Sequence, residues 1–381
     1  MAQIKCTTCN GTGWVEQLDA DALDYLKRYP DVANSSFRTN PRSHYDQYGK
    51  AEGRRWGSAP VPPGPQPPGP TPPPGLIASQ PGREFFSSVK VGTSLFLGDY
   101  GMGSGGPKIQ ILDSGGLKPE FQVPECESAF DLYFGDGVLL CSFEARGQIR
   151  KRIAPGNWPI VYQRPEWEAL GFYIRRAGNS LFQNWAFWDH AEGGVLRSDL
   201  KGESWQEASH FHGKTYQGMF ESGGNIYLAG MVGGFSDPGR YPALGDIGGN
   251  PIFSRPDQPG RNYGMGVKIG NRFVLGNCAW GGSVGMIDVW EGGAARTTLT
   301  NERNVIALMQ IIGGKIYAVL TYDWEAPANK ISELISSSDN GDSWKKEADI
   351  PMPHVMHMYY SDGFYFCGGR HGEFGKVFYW R

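Results

Sequence analysis

With 381 residues the chain can build a large core, yet it carries a net charge of only −3 and 20% charged residues beside 55 Gly, 27 Pro, 12 Trp, 18 Tyr and 20 Phe. No Lys/Arg block follows a phosphate backbone, which argues against a nucleic-acid partner, and no apolar run approaches the roughly 20 residues that span a bilayer. The opening MAQIKCTTCNGTGWV lacks the apolar segment of a secretory signal, so the expectation is a soluble chain made in a cytosol; the Gly- and aromatic-rich composition predicts short strands joined by tight turns.

Residues 1–16 contain Cys6, Cys9, Gly11 and Gly13 in the spacing CxxCxGxG. The phrase resembles one half of the cysteine-rich zinc module of J-domain chaperones, in which glycines let both thiolates face one metal. A closed zinc site needs four ligands, and the second knuckle is missing. His44 is the only other strong ligand before the linker, so a site within one chain is at most three-coordinate. Zinc at Cys6 and Cys9 closed by a second subunit, a partly occupied site and an exposed dithiol all stay open, and no cofactor is required. The remaining cysteines, Cys126, Cys141, Cys278 and Cys367, lie singly in strand-like text and read as buried thiols.

Residues 17–57 read as a small helical unit. Asp19 or Asp21 can cap a helix with Leu23, Leu26 and Tyr29 at roughly helical spacing, and Pro30 is expected to stop it. A second helix around Ser43–Tyr48 should end at Gly49 in a left-handed cap. The phrases DYLKRYPDVAN and HYDQYGKAEGRRW resemble a short repeat of bacterial and phage surface proteins, over about forty residues. That resemblance implies an attachment module, with His44, Tyr45 and Arg54 holding its miniature core. Residues 58–75, SAPVPPGPQPPGPTPPPG, form a linker whose glycine spacing excludes a collagen triple helix. As a polyproline II rod at about 3.1 Å per residue it holds its two ends roughly 50 Å apart.

From residue 76 to 381 one phrase recurs: an apolar strand, a Gly/Asn/Asp turn and a second apolar strand. The residues just after the turns are Leu95, Leu139, Leu181, Ile226, Phe273, Ile316 and Phe364, separated by 44, 42, 45, 47, 43 and 48. A repeat of this size is that of a four-stranded propeller blade. The expected fold is therefore all-β, a seven-bladed β-propeller of four-stranded blades with a small N-terminal helical module on a Pro-rich linker; merging two weak copies would leave six blades. Each hairpin supplies the two inner strands of a blade. The seventh copy ends at its third strand, KVFYWR, and Leu76–Gln80 is the natural donor of the fourth, closing the ring.

Ser337, Asp339, Gly341 and Trp344 match the Asp-box of sialidase-like propellers, S-x-D-x-G-x-[ST]-W, and Ser198–Trp205 is a degraded copy in the third blade. The resemblance implies a structural turn between third and fourth strands, with the Asp capping backbone donors and the Trp packing beneath.

Loops leaving each second strand share a face with the connections leading into each first strand. That face collects Asp99, Tyr100, Glu144, Arg146, Trp188, Asp189, His190, Trp280, Tyr322, Asp323, Trp324, Arg370, His371 and Glu373. An insertion of about twenty residues after the fourth hairpin adds Asp237, Arg240, Tyr241 and Asp246; connections into first strands add His210, His212, Arg261, Tyr263, His354 and His357. Aromatic planes among polar and charged groups suit sugars, whose CH faces stack while their hydroxyls pair. The narrower ligand set is Asp99, Tyr100, Trp188, Asp189, His190, Tyr241, Trp280, Asp323, Trp324, Arg370, His371 and Glu373. For any one of these aromatics, inter-blade packing is the competing role.

The Arg-Ile-Pro phrase of sialidases is absent, and Arg164-Pro165 and Arg255-Pro256 stand in the wrong context. A polysaccharide lyase needs a His or Tyr base and an Arg for the uronate, which His190, His212, Tyr263, Arg240 and Arg370 could supply. The leading expectation is a non-catalytic, phage-fibre-like adhesin on the virion surface. Its propeller binds a cell-surface glycan, and residues 1–57 dock on other virion proteins, with a homo-oligomer among the assemblies allowed. A lyase or glycosidase, a structural scaffold and a cytoplasmic location are the alternatives.

Overall fold

The structure, a computed structural model, describes residues 3–5, 14–16, 20–33, 40–50, 56, 75–101, 105–187, 190–278, 284–303, 309–323 and 326–381. The chain divides into two compact units, Met1–Thr71 and Pro72–Arg381.

In the first unit Gln3–Lys5 pairs antiparallel with Trp14–Glu16. Cys6 and Cys9 lie between these strands, outside the described residues, as do Arg54 and most of the linker. The first helix, Ala20–Arg28, is followed by a short second one, Pro30–Ala33. Pro30 thus opens a helix as well as closing one, because a first-turn residue has no intrahelical N–H bond to lose. The buried stripe is Ala22, Tyr25 and Val32, while Leu23 is exposed. Tyr25 holds the unit together: its hydroxyl meets His44 Nδ1 at 3.0 Å, and its ring lies 5.8 Å from Tyr45 and 5.2 Å from Trp56. Asn40 caps the next helix, Pro41–His44, which widens into a π turn over Tyr45–Gly49. The expected left-handed cap at Gly49 is not formed. Lys50, right-handed at φ −64°, instead returns its N–H to the Tyr45 carbonyl.

The second unit is a ring of seven four-stranded antiparallel sheets. Blade 1 runs outward through Glu84–Val91, Ser94–Tyr100, Lys108–Asp113 and Gly116–Gln122. The innermost strands of blades 2 to 7 are Ala129–Gly135, Ala169–Ala177, Lys214–Ser222, Asn262–Ile269, Met309–Ile312 and His354–Tyr360. Every residue expected just after a hairpin turn lies in the second strand of its own blade. In blade 2 the turn residues Asp136 (φ 52°) and Gly137 (φ 76°) are both left-handed, which gives the chain reversal the hand that twisted strands require.

Blade 7 takes its outermost strand from the start of the domain: Leu76–Pro81 pairs antiparallel with Phe374–Trp380. This closure joins the first and last strands by a ladder of hydrogen bonds and covers an edge that would otherwise be open.

Apolar clusters fill the spaces between neighbouring blades, for example Phe172, Tyr216, Phe220 and Met265 across blades 3 to 5. The inner strands approach so closely that a side chain is excluded at some points. A Cβ on Gly218 of blade 4 would lie 2.2 Å from the Gly264 carbonyl of blade 5. The turns Ser337–Trp344 and Ser198–Trp205 both connect third to fourth strands, in blades 6 and 3. Asp339 accepts from the Ser343 N–H at 2.8 Å and from two hydroxyls, and these donors hold its carboxyl well below the usual range. In blade 3 Asp199 does the same for the N–H groups of Lys201 and Gly202.

Candidate functional site

Each innermost strand starts on the face where blades are entered and runs toward its first hairpin turn. Residues from all seven strands, mostly from their middle and later parts, line a cavity of about 580 Å³ on the axis. That volume is within the range of small-ligand sites. The chamber therefore belongs to the hairpin side of the ring, opposite the face that the loop residues predicted. Phe134, Ile311 and Tyr360, exposed on blades 2, 6 and 7, contribute to its lining. Tyr133 and Tyr359 add partly exposed aromatic surface, with Tyr173 and Phe220 buried behind it.

A charged cluster is set into this wall. Asp131 Oδ2 accepts from the Ile174 N–H at 2.8 Å and from Arg175 Nη1 at 2.9 Å. Its Oδ1 is buried without a hydrogen-bond partner and lies 3.9 Å from His357 Nε2, while His357 Nδ1 meets Ser88 Oγ at 3.0 Å. Burial raises the Asp131 carboxyl and lowers the His357 imidazole to about 3, so the histidine is neutral at ordinary pH. Arg175 lies over the Tyr173 ring, 4.7 Å from its centre. Among the described residues its hydrogen bonds use Nη1 alone, and Lys268, also on the wall, makes no salt bridge. The chamber thus combines aromatic groups with two cations, and the Asp131 carboxylate, 1% exposed, is buried behind its wall. Ser88 itself is only 1% exposed, so its hydroxyl is not presented as a nucleophile.

The loop face is organised differently. Asp99 is fully buried, with Arg83 Nη1 at 3.0 Å, Gln110 Nε2 at 2.9 Å and the Lys108 N–H at 2.5 Å. Burial, partly offset by these donors, raises it to about 6. Tyr100 is also buried, stacked on Phe86 at 5.3 Å, and desolvation pushes its phenol up. Both are packing elements, which corrects their expected role as ligand contacts. Tyr100 still touches His371, with ring centres 5.0 Å apart, so the exits of blades 1 and 7 do meet. Beside His371, Arg370 pairs with Glu373. Tyr322 donates to Glu302, and Asp323 is half-buried.

Two catalytic expectations fail on burial and bonding. Tyr263 is fully enclosed and its hydroxyl donates to Asp288 at 2.8 Å, which pushes it further above its ordinary value and removes it as a base. Arg240 turns back onto the carbonyls of Phe235 and Asp237. The long insertion is shorter than expected, because Tyr241–Asp246 is the third strand of blade 4, with Tyr241 opposite Val232. His210 and His212 likewise belong to a strand, the outermost of blade 3, and His190 is exposed 3.9 Å from Glu168. Arg164 and Arg255 are structural: the first lies 3.7 Å from the Trp185 ring centre, the second pairs with Asp257. Trp188, Asp189, Trp280 and Trp324 lie outside the described residues.

The loop face also holds groups that the ligand set omits. Ser128 Oγ donates to Glu144 at 2.5 Å, and burial lifts this carboxyl to about 7. Two residues on, Arg146 adopts φ 60° with its guanidinium over the exposed Trp167, 4.9 Å from the ring centre. A left-handed non-glycine residue is a strained feature that marks functional loops more often than others. The buried pair Glu84 and His354, 2.6 Å apart, closes the blade 7 to blade 1 seam. Cys126, Cys141 and Cys367 are buried free thiols as expected, with Cys126 and Cys367 pushed to about 12 by burial.

Ring and chamber together define a seven-bladed β-propeller with a ligand-sized axial site. No protein-family model and no curated protein matches the chain. Among solved structures it is similar to a PL25 ulvan lyase bound to -[GlcA(1-4)Rha3S]-, at 10% identity and TM-score 0.54 over 80% of this chain and 94% of that one. It is similar also to the WD40 propeller domain of Doa1, at 11% identity and TM-score 0.52 over 80% and 96%. A third likeness, to a Mycobacterium tuberculosis puromycin-hydrolyzing peptidase, has 11% identity and TM-score 0.52 over 75% of this chain and 50% of that one. Likenesses at this identity concern the fold, and the three proteins named differ in what they do. No described helix is long and apolar enough to cross a membrane.

Proposed function

We propose that the chain is a virion-associated adhesin of the phage-fibre type, whose propeller binds an acidic cell-surface glycan without cleaving it. The observation that supports this reading is the axial chamber, about 580 Å³ with aromatic walls and the cations Arg175 and Lys268. A uronate or sulfate group would take the uncommitted donors of Arg175; ring hydroxyls would meet Gln310, and CH faces would lie on tyrosine. Residues 1–57 would dock on other virion proteins, with residues 58–75 as spacer. Several copies on one particle would convert weak single contacts into avid attachment.

The test is binding of the full chain to a panel of neutral, uronate-bearing and sulfated glycans, with Arg175→Gln as the variant and thermal unfolding as a control for folding. Selective retention of acidic glycans, weakened tenfold or more in the variant, supports the proposal. Equal retention by both proteins, or no retention of any glycan, overturns it.

Cleavage is the second reading, and Glu144 favours it. A carboxyl at about 7 is half-protonated near neutral pH and suits general acid–base work. New reducing ends or unsaturated-uronate absorbance, abolished by Glu144→Gln, would replace the adhesin with a lyase or glycosidase.

A further inference from the structure

We infer that the outer edge of blade 3 carries a divalent-metal site of the Zn2+ class, formed by Glu192, His210 and His212. The three residues offer ligand atoms within 4.8 Å of one another. The sheet register explains why. Glu192 is the direct cross-strand partner of His212, and His210 lies two residues earlier on the same strand, so all three side chains leave one face. The partner of His210 is Gly194, where a Cβ would lie 2.6 Å from Trp185 Nε1. The absence of a side chain there lets the imidazole lie edge-on to the Trp185 ring, 5.2 Å away, and keeps it directed at Glu192.

His210 Nε2 is 2.6 Å from Glu192 Oε1, and its other nitrogen, Nδ1, is 3.3 Å from Glu207 Oε1. At 2.6 Å the contact of Nε2 with Glu192 is a hydrogen bond whose proton a Zn2+ ion would replace, while a carboxylate on the far nitrogen orients the ring, as is typical of metal-bound histidine. Glu207 is itself anchored by Arg164 Nη1 at 2.8 Å. His212 Nδ1 lies 3.8 Å from Glu192 Oε2, and the two imidazole rings stack at 4.9 Å. Among the described residues no Lys or Arg forms a salt bridge with Glu192, and the ring nitrogens that approach it are those of the two histidines. Two imidazoles and one carboxylate are a sufficient protein set for Zn2+, with solvent completing the shell on the exposed His212 side. Arg164 and Glu207 act as positioning residues.

Zinc titration of the full chain by calorimetry tests this site, with Cys6→Ser and Cys9→Ser introduced together so that the N-terminal thiols cannot contribute. His212 is 77% exposed, so His212→Ala leaves the fold intact and serves as the principal variant. The expected result is one saturable Zn2+ equivalent, weakened at least tenfold by His212→Ala and by Glu192→Gln. Glu207→Gln should weaken it about tenfold through orientation alone. Co2+ bound in its place should show the visible absorption of a nitrogen- and oxygen-ligated ion, lost in His212→Ala. Absence of saturable binding in the cysteine-free chain, or equal affinity in the His212→Ala variant, overturns the proposal. Glycan binding is measured separately, so failure of the metal site leaves the axial reading untouched.

Discussion

The two ends of the propeller axis present similar residue types with opposite allocations. On the loop face, Asp99 has spent its acceptors on Arg83, Gln110 and a backbone N–H, and Tyr100 is stacked beneath Phe86. On the hairpin side, Asp131 keeps one buried oxygen without a partner beside a neutral imidazole, behind the wall of the axial cavity. A carboxylate near a propeller mouth is thus no indicator of a site; what distinguishes the two ends is whether the acceptor has been satisfied from within the fold.

The largest expected effect that separates the two ends is on stability. Asp99→Ala removes the buried carboxylate paired with Arg83, whose side chain is 7% exposed, and should cost about 3–5 kcal/mol in denaturant unfolding. If Asp99 is structural as argued, the folded variant keeps wild-type glycan binding; a loss of binding without a loss of stability would return Asp99 to the ligand set.

Next in size are two pH dependences of opposite sign. Glu144 is raised from its ordinary 4.5 to about 7, so the folded state holds a proton that the unfolded state releases, and stability falls as pH rises through that window. The change is on the order of 3 kcal/mol. Glu144→Gln, which keeps an acceptor for Ser128, should abolish that slope in unfolding free energies measured from pH 5 to 7. His357 is lowered from 6.5 to about 3, so its contribution is present above pH 6.5 and lost as pH falls toward 3. His357→Gln should flatten this acid slope while leaving the other unchanged. Coincident slopes, or insensitivity of either to its variant, would remove the electrostatic contrast between the ends.

The smallest effect belongs to the loop-face ion pair of Arg370 and Glu373. With side chains 29% and 49% exposed, its removal by Arg370→Ala should change stability by less than about 1 kcal/mol. A tenfold loss of glycan binding in that variant would move the site back to the loop face.

Legibility followed periodicity. Seven hairpins at nearly constant spacing announced seven blades, and a last copy lacking its fourth strand announced that Leu76–Gln80 would supply it. Both follow from local pattern, because alternation and turn chemistry are written in consecutive residues. The mistaken site residues share one cause. Tyr263 and Tyr241 sit next to loops in the sequence, but strand register decides which way each side chain faces: Tyr263 turned inward to Asp288, and Tyr241 joined a ladder. Glu144 is placed on the loop face by its position after a second strand, whereas Trp167 gives no more signal than any residue between strands.

What the sequence determined by itself was the repeat, the closure and the turns, since each depends on residues close together in the chain or on the count of like segments. The axial chamber was decided only by tertiary structure. Ser88, Asp131, Arg175 and His357 come from the inner strands of four neighbouring blades, up to 269 residues apart in the chain, and read individually as core alternation. Only circular packing of the blades points them at one volume and leaves one carboxylate oxygen without a partner, because burial and hydrogen-bond satisfaction are properties of the assembled neighbourhood.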